Sequence, residues 1–338
     1  MPNPNDIILM SHGGGGRQTQ QLLREHILPP LDNPILRLMD DAACLDLAGA
    51  ALAFTTDSYV IRPLFFPGGD IGRLSVCGTV NDLAMQGAQP LYLTLGLILE
   101  EGLQLSDLDT IMRSIGDTTR EAGIQIVAGD TKVVERGAGS GLFINTAGLG
   151  LRRTGVDTHI ANARPGDVIL ISGTIGDHGI AVLSRREGLA FQTELVSDVA
   201  PLNGLTATLL EAVPGIHALR DPTRGGVAAA LNDVASAAKV GIRIEEKTLP
   251  VRPAVRGACG LLGLEPLSVA NEGKALVICA ATDEARTLAT LRAHPLGRDA
   301  CRIGEVLAAS DGKVLLHTRI GGERLLEMPL GDDLPRIC

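Results

Sequence analysis

Aspartate recurs along this chain in settings that suit a metal–phosphate site. The segments are Asp40-Asp41-Ala42-Ala43, Thr55-Thr56-Asp57-Ser58, Val80-Asn81-Asp82-Leu83, Ala128-Gly129-Asp130-Thr131-Lys132 and Asp221-Pro222-Thr223-Arg224-Gly225-Gly226. Carboxylates at strand ends and helix starts are able to converge on one Mg²⁺, which takes hard oxygen ligands in an octahedron. A single aspartate in such a place is more often a turn or N-cap residue. Five such segments beside Gly, Thr or Asn tilt the reading toward metal and phosphate, although spacing does not say whether they converge.

Three further segments carry chemistry. Ser11-His12-Gly13-Gly14-Gly15-Gly16-Arg17 lets backbone N–H groups approach an anion closely, and Arg17 adds charge; the plain alternative is a flexible loop. It is not a Walker A loop, since GxxxxGK[ST] is absent from the chain. Its likeness to an esterase oxyanion loop fails for want of a G-x-S-x-G elbow, Gly139-Ser140-Gly141 having the wrong spacing. In Asn271-Glu272-Gly273-Lys274, Glu272 precedes an expected strand and is placed to act as a base, whereas His178 reads as a helix-start residue. The last residue is Cys338, on a segment that is extended and mobile by expectation, because Pro329, Gly331 and Pro335 disfavour helix. It is either incidental or a thiol carried on an arm. From Gly331 that arm reaches at most about 28 Å, and Arg336 is placed to meet a phosphate or carboxylate.

The elements that must position these residues follow from pattern. Strands are expected at 52–56, 91–99, 124–128 and 143–151, with helices at 73–87 and 106–122. The latter carries a capping-box signal at Ser106 and Asp109, and Gly123 stands at its end. After a linker of Arg, Gly and Pro a strand begins at Val168. Helices near 178–186, 204–212, 226–239, 252–262 and 283–293 then mix with strands at 242–245, 275–281, 302–307 and 313–317. Such alternation implies an α/β (α+β) architecture of mixed sheets packed with helices. The expected divisions are 1–155, 156–327 and a tail, 328–338.

Length and composition agree. A chain of 338 residues is enough for about two domains. A net charge of −9 with 2% aromatics argues against nucleic acid, which needs cations for phosphates and rings for bases. The longest uncharged run, Leu83 to Leu99, falls short of the roughly 20 apolar residues of a membrane span. The amino-terminal stretch lacks the signature of an export signal, so the expected location is cytoplasmic, with Cys44, Cys77, Cys259, Cys279 and Cys301 as small core residues.

Taken together, the HGGGGR, DDAA, TTDS, FPGGDIG, TVNDLAM, AGDTKVV, DPTRGG and NEGK segments, with the terminal Pro335-Arg336-Ile337-Cys338, resemble the HypE family of hydrogenase maturation proteins across essentially the full chain. That family is similar to the aminoimidazole ribonucleotide synthetase superfamily. The resemblance implies a two-domain fold of that type, ATP and Mg²⁺ bound largely by the first domain, and a homodimer whose amino-terminal sheets form a shared barrel. It implies that HypF places a carbamoyl group on Cys338. ATP-dependent dehydration then makes a thiocyanate, and the cyano group passes to iron on the HypC–HypD complex as a ligand of [NiFe] hydrogenase. By carry-over, Asp41, Asp82 and Asp221 hold the metal. Asp57, Asn81, Asp130, Thr131 and Arg224 serve the nucleotide, with His12, Gly13, Gly14 and Arg17 closing over the phosphates. Lys132 steadies charge, Glu272 accepts a proton, and Arg336 assists Cys338. The alternative is a small-molecule kinase related to selenophosphate synthetase or thiamine-monophosphate kinase, which leaves Cys338 without a role.

Overall fold

The computed structural model describes residues 8–31, 33–188, 195–308, 312–330 and 337; Arg336 and Cys338 lie outside them. In the first half, helix α1 (Arg17–Leu22) precedes β1 (Ala43–Leu47) and β2 (Ala50–Tyr59). The short hairpin β3 (Phe65–Phe66) and β4 (Gly69–Asp70) then leads into α2 (Ile71–Met85). Strand β5 (Ala88–Glu100), helix α3 (Leu105–Ala122), and strands β6 (Gln125–Val134) and β7 (Leu142–Arg152) complete it. The sheet runs β1-β2-β7-β5-β6. Every pairing is antiparallel except β5 with β6, which α3 joins by a crossover.

Helix α2 is buried nearly all round because it has a covered surface on each side. It packs on β2, β5 and β7 of its own sheet, on α3, and on elements of the second half. Small residues permit the closeness: a Cβ on Gly78 would come 2.3 Å from Tyr59 Oη. Asp70 caps the helix, accepting from the Gly72 N–H at 2.7 Å and the Arg73 N–H at 3.1 Å.

The second half contains β8 (Val168–Ile171), α4 (Asp177–Glu187), α5 (Asn203–Ala212), β9 (Ile216–Arg220), α6 (Gly226–Ala238) and β10 (Gly241–Glu245). Then come α7 (Pro253–Leu262), β11 (Leu276–Cys279), α8 (Glu284–Ala293), β12 (Cys301–Leu307), β13 (Val314–His317) and β14 (Glu323–Leu325). The sheet runs β14-β13-β10-β12-β8-β11-β9. Along β8, Ile169 and Ile171 join the α6 core, while Val168 and Leu170 join the core of α5 and α8. Strand periodicity thus explains why this continuous apolar run is buried on both faces.

Several expectations need correction. Helix α3 starts at Leu105 after Gln104 with no side-chain cap, so the Ser106 capping box does not form, although Gly123 does end the helix at φ +71°. Strand β6 runs on to Val134 because its ladder with β5 continues. Strands β1, β9 and β14 are not among the expected strands; β9 is short, contains His217 and Arg220, and follows Pro214-Gly215. Of the tail, residues 331–336 and 338 lie outside the described residues, while its described residues are held. Pro329 and Leu330 carbonyls accept from the Arg17 and Gln18 N–H groups at 2.8 and 3.2 Å, satisfying donors at the start of α1, and Ile337 is buried. Cys77, Cys259 and Cys279 are core residues, whereas Cys44 and Cys301 are only half-buried. No described helix is long and apolar enough to cross a membrane.

Asn81 on α2 ties the halves together. Its Nδ2 donates to the carbonyls of Ala200 (3.1 Å) and Glu272 (3.3 Å), and its Oδ1 accepts from the Leu202 N–H (2.7 Å). Asn81→Ala leaves those buried groups unpaired, which costs roughly 1–3 kcal/mol. Urea denaturation is expected to show a lowered midpoint; an unchanged midpoint would remove Asn81 as the tie.

Candidate functional site

A cavity of about 470 Å³ opens between the two sheets' domains. Its walls include Asp40 and Asp41 before β1, Thr55, Asp57 and Tyr59 of β2, Gly78 and Asp82 of α2, Asp221, Thr223 and Arg224 after β9, and Glu272 before β11. Thr55, Asp57 and Tyr59 alternate along one strand and so share a face. The Tyr59 hydroxyl donates to Asp57 Oδ2 at 3.0 Å.

Asp41, Asp82 and Asp221 each bring a carboxylate oxygen within 4.8 Å of the others. Thr55 Oγ1 shares its single hydrogen between the Asp41 carbonyl (3.0 Å) and Asp82 Oδ2 (2.9 Å), fixing β2 against α2 at this point. Arg220 pairs with Asp41 and reaches Asp233 at 3.2 Å. Asp40 pairs with His159 at 3.1 Å.

Burial pushes the Asp41 and Asp82 carboxyls well above the usual range. Arg220 opposes this at Asp41, and neighbouring carboxylates add to it at both. Asp221 is pushed up to about 6 by burial, with Arg220 opposing. Glu272 is raised well above its usual range by burial and by the nearby aspartates. Asp41 Oδ2, Asp221 Oδ2 and Glu272 Oε1 are buried without a hydrogen-bond partner among the described residues. Such groups are costly unless a cation or donor joins them. All the donors are hard oxygens, so the trio fits Mg²⁺, with phosphate oxygens and water free to complete its shell.

The NEGK segment holds Glu272 in place. Asn271 accepts from the Gly176 N–H at 2.8 Å and donates to the carbonyls of Pro222 (3.0 Å) and Val269 (3.1 Å), coupling this turn to the Asp221 loop. The Glu272 N–H donates to Asp198 Oδ1 at 3.1 Å, and Lys274 pairs with the other Asp198 oxygen at 3.2 Å. Gly273 admits no side chain, because a Cβ would stand 1.8 Å from the Asp198 carbonyl.

The remaining candidates separate into two groups. Asp57 and Arg224 line the cavity with the aspartate trio. The glycine loop packs at its rim: Arg224 Nη1 lies 3.5 Å from the Gly13 carbonyl, and Gly15 sits against Arg224 at φ +73°. Around that loop, His12 Nδ1 accepts from the Leu9 N–H at 2.9 Å, Gly14 follows in the same short turn, and Arg17 pairs with Glu327 at 2.8 Å. Neither His12 nor Arg17 is turned to the cavity wall in this state. Asn81, expected to serve the nucleotide, has its amide occupied by the second half instead. Asp130, Thr131 and Lys132 are exposed on the edge strand β6; Lys132 pairs with Asp130 at 3.1 Å, and none lines the cavity. Three strands separate β6 from β1, which keeps these residues from the trio within one chain. His178 does begin α4 and is fully buried.

Sequence reasoning missed Arg220, Asp233, His159, Thr55 and Tyr59 as parts of the site. Arg220 adjoins Asp221, but it ends a strand that carried no clear pattern. Asp233 and His159 gave no local signal, since their partners come from other elements.

Comparisons with known proteins agree with the two-domain fold. The AIR synthase related protein family matches twice, its N-terminal domain over residues 39–152 and its C-terminal domain over 164–317. The carbamoyl dehydratase HypE of Cupriavidus necator is 53% identical over 330 residues, covering 97% of this chain and 94% of the relative. A crystal structure of hydrogenase maturation protein HypE in complex with ATP superposes with a TM-score of 0.83 at 48% identity, covering 98% of this chain and all of that one. A HypE–HypF complex superposes with a TM-score of 0.87 at 48% identity, covering 91% of this chain and 99% of that one.

Protons would compete with a divalent cation at such a trio, because only ionised carboxylates bind a metal. The raised carboxyls take up protons as pH falls, Asp221 at about 6. Mg²⁺ is therefore expected to raise the melting temperature at pH 8 and to lose that effect by pH 5.5. A thermal shift independent of pH would exclude the trio as the metal site.

Proposed function

The chain belongs to the HypE family of carbamoyl dehydratases, and from that premise we propose how its own residues carry the reaction. The enzyme uses ATP to dehydrate an S-carbamoyl group on Cys338 to a thiocyanate, the source of the cyanide ligand in [NiFe] hydrogenase maturation. The observation that carries the reading is the trio Asp41, Asp82 and Asp221 facing Glu272 in one interdomain cavity.

A carbamoyl oxygen is a poor leaving group. Its attack on the γ-phosphorus of ATP expels ADP and, with loss of one N–H proton, leaves an imidate bearing phosphate. Departure of that phosphate with the second N–H proton forms C≡N. The protein must orient the reactants, neutralise polyphosphate and accept protons. Asp41, Asp82 and Asp221 would hold Mg²⁺, which when bound neutralises the phosphate charge. Arg224 presents a guanidinium at the phosphate side of the cavity, where the His12–Arg17 loop packs. Asp57, steadied by Tyr59, adds a further polar wall. Glu272 takes the imidate proton. The low-dielectric setting that raises its pKa also makes its ionised form a strong base.

The arm supplies substrate. HypF loads Cys338 with the carbamoyl group, Arg336 beside it meets anionic groups of the site, and the HypC–HypD iron complex receives the cyano group. The homodimer reading draws support from β6, an edge strand with Val127 58% and Val133 68% exposed. Asp130, Thr131 and Lys132 share that strand, so their part in the reaction belongs to the dimer.

Intact mass after incubation with HypF, carbamoyl phosphate and ATP tests the reading. The chain is expected to gain one carbamoyl group and then lose one water, both at Cys338. Cys338→Ala is expected to abolish both changes while nucleotide affinity holds. If active HypF never modifies the chain, the carrier role is lost. Glu272→Gln is expected to accept the carbamoyl group normally but to slow its dehydration by about 100-fold or more; an unchanged single-turnover rate would remove Glu272 as the base.

A further inference from the structure

His178 lies outside the cavity wall, yet both its ring nitrogens are engaged. Nε2 stands 2.8 Å from the Ile337 carbonyl, and Nδ1 stands 2.8 Å from Ser197 Oγ. The ring is fully buried, with Phe66 edge-on at 5.4 Å and 87°. The hydrogens can be assigned. A carbonyl oxygen only accepts, so Nε2 carries the hydrogen given to Ile337. With the hydrogen on Nε2, Nδ1 of the neutral ring accepts, so Ser197 Oγ, which itself accepts from the Val199 N–H at 3.1 Å, gives its hydrogen to Nδ1. Burial lowers the His178 pKa, which keeps the ring neutral in that tautomer at neutral pH.

This chain of bonds reaches two parts of the reaction. At one end, Ile337 is 3% exposed and belongs to the core cluster that includes Phe66, Leu195 and Val199. At the other end is the segment Ser197-Asp198-Val199. Asp198, next to the serine, accepts from the backbone N–H of Glu272 and pairs with Lys274. The Ser197 N–H is itself held by the Pro67 carbonyl at 2.8 Å. One short segment therefore fixes both the base and, through His178, the residue that precedes the carrier cysteine.

We propose that His178 is the positioning residue of the carboxy-terminal arm. It latches the Ile337 backbone onto the same Ser197–Asp198 segment that holds Glu272, so that arm and base are set in register. This rests on the carrier reading of Cys338. It assigns His178 no proton transfer. A latch of one hydrogen bond and one apolar side chain suits an arm that must dock for dehydration and leave for its partners, since a net hydrogen bond is worth about a factor of ten in equilibrium.

The test compares His178→Phe, which keeps a ring but removes both bonds, with Ile337→Ala, which alters only the arm. His178→Gln serves as the conservative variant retaining an N–H donor. Iodoacetamide alkylation of Cys338 in the full chain, mapped by peptide mass, reads docking without requiring activity. Alkylation is expected to accelerate about tenfold in His178→Phe and in Ile337→Ala, with His178→Gln nearer the parent. Single-turnover dehydration of the carbamoylated chain is expected to slow in the first two, while ATP affinity and loading by HypF hold. Unchanged alkylation in both would overturn the latch, as would loss of ATP affinity in step with dehydration, which marks a structural role. Should His178→Phe fail to fold, Ile337→Ala decides. Failure of HypF to load the parent chain would instead overturn the carrier reading, leaving the alkylation comparison to judge the docking alone.

Discussion

The buried pair of Arg220 with Asp41 is the interaction on which the cavity depends. Several carboxylates converge there out of water, a state that repels itself and raises their pKa values. Arg220 lies between Asp41 and Asp233, and its charge acts on Asp40 and Asp221 as well. It is buried enough to be screened little by solvent. Without it, Asp41 would lose its paired cation, and Arg224, which acts on Asp221 and Glu272, would be left as the second domain's counterweight. With it, the carboxylates still outnumber the cations beside them, as a site suited to a divalent cation requires.

Arg220 also explains the division of labour between domains. The first supplies Asp41 and Asp82 from its sheet and its central helix, and the second supplies Asp221, Arg224 and Glu272 from loops at strand ends. Helix α2 is the shared wall, with Asp82 on one side and Asn81 on the other. Loops hold the reactive groups, but the buried side chains of Asn81 and Asn271 bind those loops to rigid elements. A site made of loops thus gains the precision of strands and helices.

The arm completes this arrangement from the chain's far end. Pro329 and Leu330 lie on the start of α1, beside the glycine loop, and Ile337 returns to the core near α4. Backbone bonds tie the start of α1 to Pro329 and Leu330, and the side chains of His178, Ser197 and Asp198 link Ile337 to the Glu272 segment, whereas exposed ion pairs such as Arg17 with Glu327 contribute little.

Much of this was readable from residues alone. Val168–Ile171 was legible as a strand and the aspartate segments as a supply of hard oxygen donors, because residue type fixes donor chemistry, whereas the cover on both faces of that strand came from the fold. The Asp41, Asp82 and Asp221 segments, distant in the chain, were nameable as motifs; their meeting within 4.8 Å depends on two sheets packing across α2. Tertiary structure also separated neighbours that the motifs had joined. Successive helix residues point about 100° apart, so Asp82 faces the cavity while Asn81 faces the other domain. Alternate strand residues share a face, so Asp130 and Lys132 meet each other on an outer edge rather than the trio. Arg220 and His159 had no local signal, and His178 was legible as a helix-start residue but not by its partners. Their roles are set by partners from other elements, and only the folded chain brings those partners within reach.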